Sequence, residues 1–227
     1  MLWVGQFGME NGEAKQLTPW VGLFPGENGA PEGNADLYII VEPASPGSED
    51  FCADLKEAIG DLFHKEKASL TGGVLRSLRA AHENLRDWNR QSIKDHRVSA
   101  GVSCLALQGK DAYLAQVAPA AAVLYRTGAV MRIEPRLPDA MEPLGLHEEF
   151  RPEFSHFEME DDDRLLILSP RLAVRLSDIE LSEALAQPGE DALPALYKQA
   201  KEVPDCGALL VACTEADDSP LTTDHEC

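Results

Sequence analysis

The side chains best suited to chemistry fall in a few places along the sequence. His147 and His156 flank Glu148, Glu149 and Glu153, a mixture of imidazoles and carboxylates from which a metal centre can be built. Their spacing matches no ligand motif of known mechanics, and they fall on an expected loop and strand, so they read as a solvated surface. Asp161-Asp162-Asp163 could offer oxygens to a hard cation, yet the run opens an apolar strand and reads as a polar turn. Five cysteines, Cys52, Cys104, Cys206, Cys213 and Cys227, are odd in number and include no C-x-x-C pair. That pattern fits reduced core thiols in a cytoplasmic setting better than a disulfide framework or a zinc site. His82 and Trp88 share an expected helix and read as packing residues.

Composition bounds what these residues can serve. With 227 residues, 44% of them hydrophobic, the chain can bury one sizeable core, expected over residues 1–213, with an acidic tail or linker at 214–227. A net charge of −19 provides no basic stripe to displace counterions from phosphates, which argues against nucleic-acid binding and against an anionic membrane surface. No segment approaches the roughly 18 apolar residues of a membrane span, and Met1–Glu10 has no signal-peptide pattern, so a cytoplasmic location without membrane insertion is expected.

Periodicity supplies the elements. Met1–Ala35 is rich in Gly, Pro and Asn and holds one or two strands; Asp36–Val41 is a buried strand closed by Glu42-Pro43. From Ser48, a plausible N-cap, the period lengthens, with Phe51, Leu55, Ala58, Ile59, Leu62 and Phe63 on one helical face. Leu70, Val74, Leu78, Ala81, Leu85 and Trp88 mark a second helix that should form an antiparallel hairpin with the first. Ser99–Gly128 then alternates on both sides of a Gly109-Lys110-Asp111 turn before an uncharged kink, Val117-Ala118-Pro119-Ala120, which feeds a third strand. A fourth strand at Ala129–Ile133, a strand within Arg151–Met159, a central strand at Arg164–Leu168, helices at 172–186 and 192–202, and a final strand at Gly207–Ala212 complete the order. Hairpins in place of βαβ alternation indicate an α+β chain with antiparallel sheets.

Several of these pieces share a framework with one known family. They are Tyr38-Ile39-Ile40-Val41-Glu42-Pro43, Ala100-Gly101-Val102-Ser103, Val117-Ala118-Pro119-Ala120, Leu124-Tyr125-Arg126-Thr127-Gly128, Asp162-Asp163-Arg164-Leu165-Leu166-Ile167-Leu168-Ser169-Pro170-Arg171-Leu172, and Val203-Pro204-Asp205-Cys206. In this order they resemble the PPM family, the metal-dependent protein serine/threonine phosphatases of the phosphatase 2C type. The corresponding family segments are Val-Ala-Asp-Gly, Gly-Thr-Thr, Val-Gly-Asp-Ser, Tyr-Leu-Tyr-Arg-x-Gly, Gly-Asp-x-Leu-Leu-Leu-x-Ser-Asp-Gly-Leu and an Asp-Asn before the last strand. The resemblance covers most of residues 36–212 and implies a four-layer αββα sandwich of two antiparallel β-sheets flanked by helix pairs.

It also implies chemistry: two Mg²⁺ or Mn²⁺ ions held by carboxylates, activating a bridging water for in-line attack on a phosphoester. Carried onto this chain, the bridging carboxylate is Glu42 and the neighbouring backbone carbonyl belongs to Pro43. The Asp of Ser-Asp-Gly is Pro170, the Asp of Val-Gly-Asp-Ser is Pro119, and only Asp205 is unchanged. The family's N-terminal phosphate-holding arginine has no counterpart, because the first arginine is Arg76; the early cation Lys15 is a point charge that cannot reproduce a bidentate fork. Arg171, following Pro170, either binds an anion in the metal's place or neutralises Glu42 and Asp205. The expected function is a catalytically inactive phosphatase-like module in bacterial signalling, needing no cofactor and binding a protein partner or phosphorylated protein. The competing expectation is a divergent Mn- or Mg-dependent phosphatase that uses Glu42 and Asp205.

Overall fold

The computed structural model describes residues 2–15, 18–26, 35–65, 69–93 and 96–213, so the acidic tail and Cys227 lie outside the described residues. Two antiparallel sheets face each other. The first comprises β3 (Val21–Phe24), β4 (Asp36–Pro43), β5 (Ala100–Gln108), β6 (Asp111–Val117) and β9 (Glu153–Glu158), in that spatial order. The second runs β2 (Glu13–Lys15), β1 (Leu2–Glu10), β11 (Cys206–Cys213), β10 (Arg164–Leu168), β7 (Ala121–Arg126) and β8 (Ala129–Ile133).

Helices α1 (Glu49–Lys65) and α2 (Leu70–Gln91) pack on each other and on β4 and β5. Helices α3 (Pro170–Arg175), α4 (Asp178–Leu185) and α5 (Gly189–Ala200) cover the second sheet. The result is the αββα sandwich that the resemblance implied. Its layers explain why β10 and β11 read as unbroken apolar runs: Leu165, Ile167, Leu209 and Val211 join the core shared with the first sheet, while Leu166, Leu168, Ala208 and Leu210 pack with the residues of α3–α5. Strands buried on both faces lose the polar alternation of a half-exposed strand.

Three local features differ from the sequence reading. The N-terminal segment holds three strands where one or two were expected, because β2 is short and its three residues are exposed, so it leaves no apolar signature. Strand β4 does not close at Val41 but carries Glu42 and Pro43 in register with Gly101 and Ala100. The helix expected over 172–186 is two helices, because Ser177 starts a new one: its hydroxyl accepts the Glu180 N–H at 3.3 Å while the Glu180 carboxylate accepts the Ser177 N–H at 2.8 Å.

The kink after Val117 has a topological role. It carries the chain from β6 in one sheet to β7 in the other, with a cis peptide between Ala118 and Pro119. Ser48 directly precedes α1, and its hydroxyl accepts the Ser99 N–H at 2.9 Å, fastening the helix start to the segment entering β5. Trp88 packs on the helix flank as expected, half exposed and edge-on to Phe51 with ring centroids 5.2 Å apart.

Candidate functional site

Glu42 lies near the end of β4 and is 8% exposed. Ser169, the residue after β10, donates its hydroxyl to Glu42 Oε1 and accepts the Gly207 N–H at 2.7 Å. Its own N–H bonds the Gly207 carbonyl at 2.8 Å. A carboxylate of the first sheet is thereby joined through one hydroxyl to two strands of the second. Burial pushes the Glu42 carboxyl up to about 7, against the opposing effects of the Ser169 hydrogen bond and the Arg171 charge.

Two other positions at which the resemblance implied carboxylate ligands, 119 and 170, carry proline. Pro119 sits against β5 at Gly101, the register partner of Glu42, so closely that a Cβ added to Gly101 would fall 2.0 Å from the Pro119 carbonyl oxygen. Pro170 follows Ser169 and starts α3, where its missing N–H leaves no helical hydrogen bond unmade. Pro119 and Pro170 share a groove of about 240 Å³ with Ala118, Ala120, Met141 and Val174, of which Met141 and Val174 are exposed. Where the resemblance implied acidic ligands, the groove is lined mainly by apolar side chains, with the exposed Glu134 its one carboxylate.

Asp205 is partly exposed, and its Oδ1 accepts the Asn11 N–H at 2.9 Å, which ties it to the β1–β2 turn. Glu42 and Asp205 both act on Cys206, whose thiol is pushed up to about 12 first by burial and then by those two charges. Burial, with Glu42 and Glu49 adding to it, does the same to Cys52. Cys52, Cys104, Cys206 and Cys213 are all buried free thiols. Arg171 is exposed on the first turn of α3, and its charge favours the ionised form of Glu42. Lys15 pairs with Glu13 at 3.2 Å on the exposed β2.

Hard divalent cations require several oxygen donors arranged around one point. Two prolines contribute no side-chain oxygen, one Glu42 oxygen is engaged by Ser169, and Asp205 is engaged by a backbone N–H. Among the described residues, no group of three or more His, Cys, Asp or Glu side chains could hold a metal ion. The residues present therefore do not fit a two-metal centre. His147 pairs with Glu142 at 2.7 Å, whereas His156 pairs with Asp111 at 2.8 Å and stacks on Tyr113, so the two imidazoles belong to separate surface clusters.

Sequence reasoning does not single out Ser169 itself, although a lone small polar residue directly after the apolar run Leu165–Leu168 is a usable signal. Asp163 was read as part of a polar turn, yet its side chain is 1% exposed and accepts the Arg126 Nε–H at 2.9 Å and the Glu160 N–H at 2.7 Å.

Glu42 has a measurable consequence. Because its folded value lies above the ordinary carboxylate value, its contribution to stability is full below about pH 4.5 and is lost as pH rises through about 7. The loss is about 3 kcal/mol. Glu42→Gln, which can still accept the Ser169 hydroxyl, should remove that slope and be the more stable form at pH 8. Urea midpoints of both proteins at pH 5 and pH 8 check this, and parallel pH dependences would disprove it.

No protein-family model matches the chain, and no curated protein matches it. Solved structures do match in fold. The S. agalactiae serine/threonine phosphatase superposes with a TM-score of 0.74 at 14% identity, covering 94% of this chain and 100% of that one. PppA, described as a key regulatory component of T6SS in Pseudomonas aeruginosa, gives 0.70 at 16% identity over 93% and 97%. The catalytic domain of the serine threonine protein phosphatase PstP, solved with 2 manganese ions, gives 0.69 at 14% identity over 94% and 99%. The fold is that of the phosphatase 2C-type enzymes.

Proposed function

We propose that this chain is a phosphatase-like module of bacterial signalling that binds a protein partner or phosphorylated protein in the cytoplasm and does not hydrolyse phosphoesters. The observation that carries this reading is the pair of prolines in the positions of carboxylate ligands, with Pro119 pressed against Gly101 beside Glu42 and Pro170 adjoining the Ser169–Glu42 hydrogen bond. Metal catalysis supplies several kcal/mol of charge stabilisation in the transition state. Without it, Asp205 and the ionised form of Glu42 would repel an incoming phosphate.

Arg171 is the anion contact in this reading, exposed at the edge of the former site and positively charged beside Glu42. Four buried reduced thiols accord with a cytoplasmic setting. Among the described residues no helix is long and apolar enough to cross a membrane.

Turnover of p-nitrophenyl phosphate tests the reading. The expected rate with Mn²⁺ equals that of buffer containing Mn²⁺. Robust Mn²⁺-stimulated turnover abolished by Asp205→Asn would establish the divergent phosphatase instead, with Glu42 and Asp205 as its ligands.

A further inference from the structure

The second sheet ends at β8, the arm of the β7–β8 hairpin that has no strand on its other side. The turn is two residues long, Thr127 and Gly128, both with positive φ, and Arg126 faces Ala129 across it. In such a hairpin the first facing pair exchanges both backbone hydrogen bonds. Ala129, Met131 and Ile133 therefore turn their N–H and C=O groups toward β7, and Val130 and Arg132 turn theirs to the open edge. Among the described residues no other strand or loop bonds those backbone groups.

The other sheet edges are occupied or guarded in ways that β8 is not. Strand β2 is three exposed residues carrying the Glu13–Lys15 pair, and the Phe24 carbonyl of β3 accepts from His64 Nε2 at 3.2 Å. Strand β9 is tied down at both ends: Glu153 accepts the Leu137 N–H at 2.9 Å, and the Glu158 carbonyl accepts from Arg126 at 2.7 Å. Open edges are commonly protected by charged side chains. The one charged residue of β8, Arg132, is turned onto the helices instead, where its guanidinium donates to Asp178 at 2.7 Å and to the Ala173 carbonyl at 2.8 Å.

On its helix-facing side β8 runs between two grooves. One, of about 310 Å³, places Val130 with Ile179 of α4, which is 71% exposed, beside Glu183 and the Asp178 already paired to Arg132. The other, of about 240 Å³, is the groove at Pro119 and Pro170, where Val174 of α3 is 89% exposed and Glu134 supplies the carboxylate. Val130 and Glu134 are four residues apart, about 13 Å along an extended chain, so a strand added to β8 brings its side chains at i and i+4 over the two grooves. Glu134 and Glu183 are exposed and make no ion pair among the described residues, on a chain whose net charge is −19. A second copy would bring like charges together at this edge, whereas a basic segment would be attracted to it. We propose that β8 accepts an extended segment of a partner protein as an additional strand, its apolar side chains at i and i+4 seated on Ile179 and Val174 and its lysine or arginine side chains facing Glu183 and Glu134. Main-chain hydrogen bonds supply the affinity of such an added strand, and its alternate side chains supply the selectivity.

Calorimetric titration of the full chain with the peptide Lys-Thr-Leu-Thr-Thr-Thr-Leu-Thr-Lys tests the proposal. Saturable binding is expected, and it should weaken at least about tenfold in Ile179→Asp combined with Val174→Asp, substitutions at exposed positions that should leave the urea midpoint unchanged. It should weaken as much when glutamates replace the lysines of the peptide. N-methylation of alternate peptide residues separates strand addition from groove filling: one of the two alternate sets should abolish binding and the other should preserve it. No saturable binding, binding that survives the double substitution or the charge reversal, or equal binding of the two N-methylated peptides would overturn the proposal. Self-association of the chain in sedimentation, lost in the double variant, would overturn it too by making a second copy the occupant. Strand addition rests only on the protein-binding part of the proposed function, and neither metal nor phosphoester takes part in it, so its failure is distinguishable from failure of the inactive-module reading.

Discussion

Gly101→Ala should destabilise the protein by about 3 kcal/mol or more, the upper end of the range for overpacking a close-packed interior. An added Cβ would lie 2.0 Å from the Pro119 carbonyl oxygen and 2.3 Å from its nitrogen. Both are backbone atoms, so relief requires moving the crossover between the sheets and not merely turning a side chain. Gly73→Ala on α2 is the informative contrast. Its Cβ would meet Phe63 at 3.4 Å, ordinary contact, and alanine in a helix interior is favoured over glycine by about 1 kcal/mol. Urea midpoints should therefore fall sharply for the first variant and hold or rise for the second. A Gly101→Ala protein as stable as the parent would mean that the kink does not press on β5 and that the site is more open than described.

Arg126→Met should cost about 3 kcal/mol, at the low end for breaking a buried ion pair because the arginine is one-third exposed. The substitution leaves the Asp163 carboxylate, 1% exposed, with the Glu160 N–H but without its cation. Arg126 also donates to the Glu158 carbonyl at 2.7 Å, so the same residue links β7 to the end of β9 in the opposite sheet. Arg126→Lys keeps charge but loses the fork, and should fall between the two. Chemical denaturation monitored by tryptophan fluorescence gives the order; equal stability of Arg126→Met and the parent would contradict it.

These two sites separate what the sequence retains from what it has lost. Arg126 and Asp163 occupy framework positions of the phosphatase resemblance, and the structure shows them bound to each other. Gly101 is likewise retained, and Pro119 packs against the space where a side chain would stand. Framework positions persist because the sheets need them. Two of the positions that the resemblance makes ligand positions, 119 and 170, carry prolines, and Pro119 packs against Gly101.

The sequence was readable where one physical pattern dominated. Unbroken apolar runs marked β10 and β11, helical spacing marked α1 and α2, and alternation about Gly109 marked β5 and β6, because burial imposes those periods directly. It was unreadable where a contact joins distant residues without periodicity. Ser169 and Glu42 are 127 positions apart, and neither carries a local signal for the hydrogen bond between them. Asp163 looked like turn chemistry because its partner lies 37 positions away. The break before α4 depended on a capping box at Ser177 and Glu180 inside a segment whose apolar spacing ran on through it. At the candidate site, residue identity alone gives positions 119 and 170 no side-chain oxygen, whereas the groove that Pro119 and Pro170 share required three dimensions.

In the proposed reading the two-sheet frame is kept and the metal centre is lost. Calorimetric titration of the purified chain with Mn²⁺, repeated with Mg²⁺, tests it most directly. The expected result is no saturable heat from either ion and the same trace for Asp205→Asn. Saturable binding that disappears in Asp205→Asn would contradict the account.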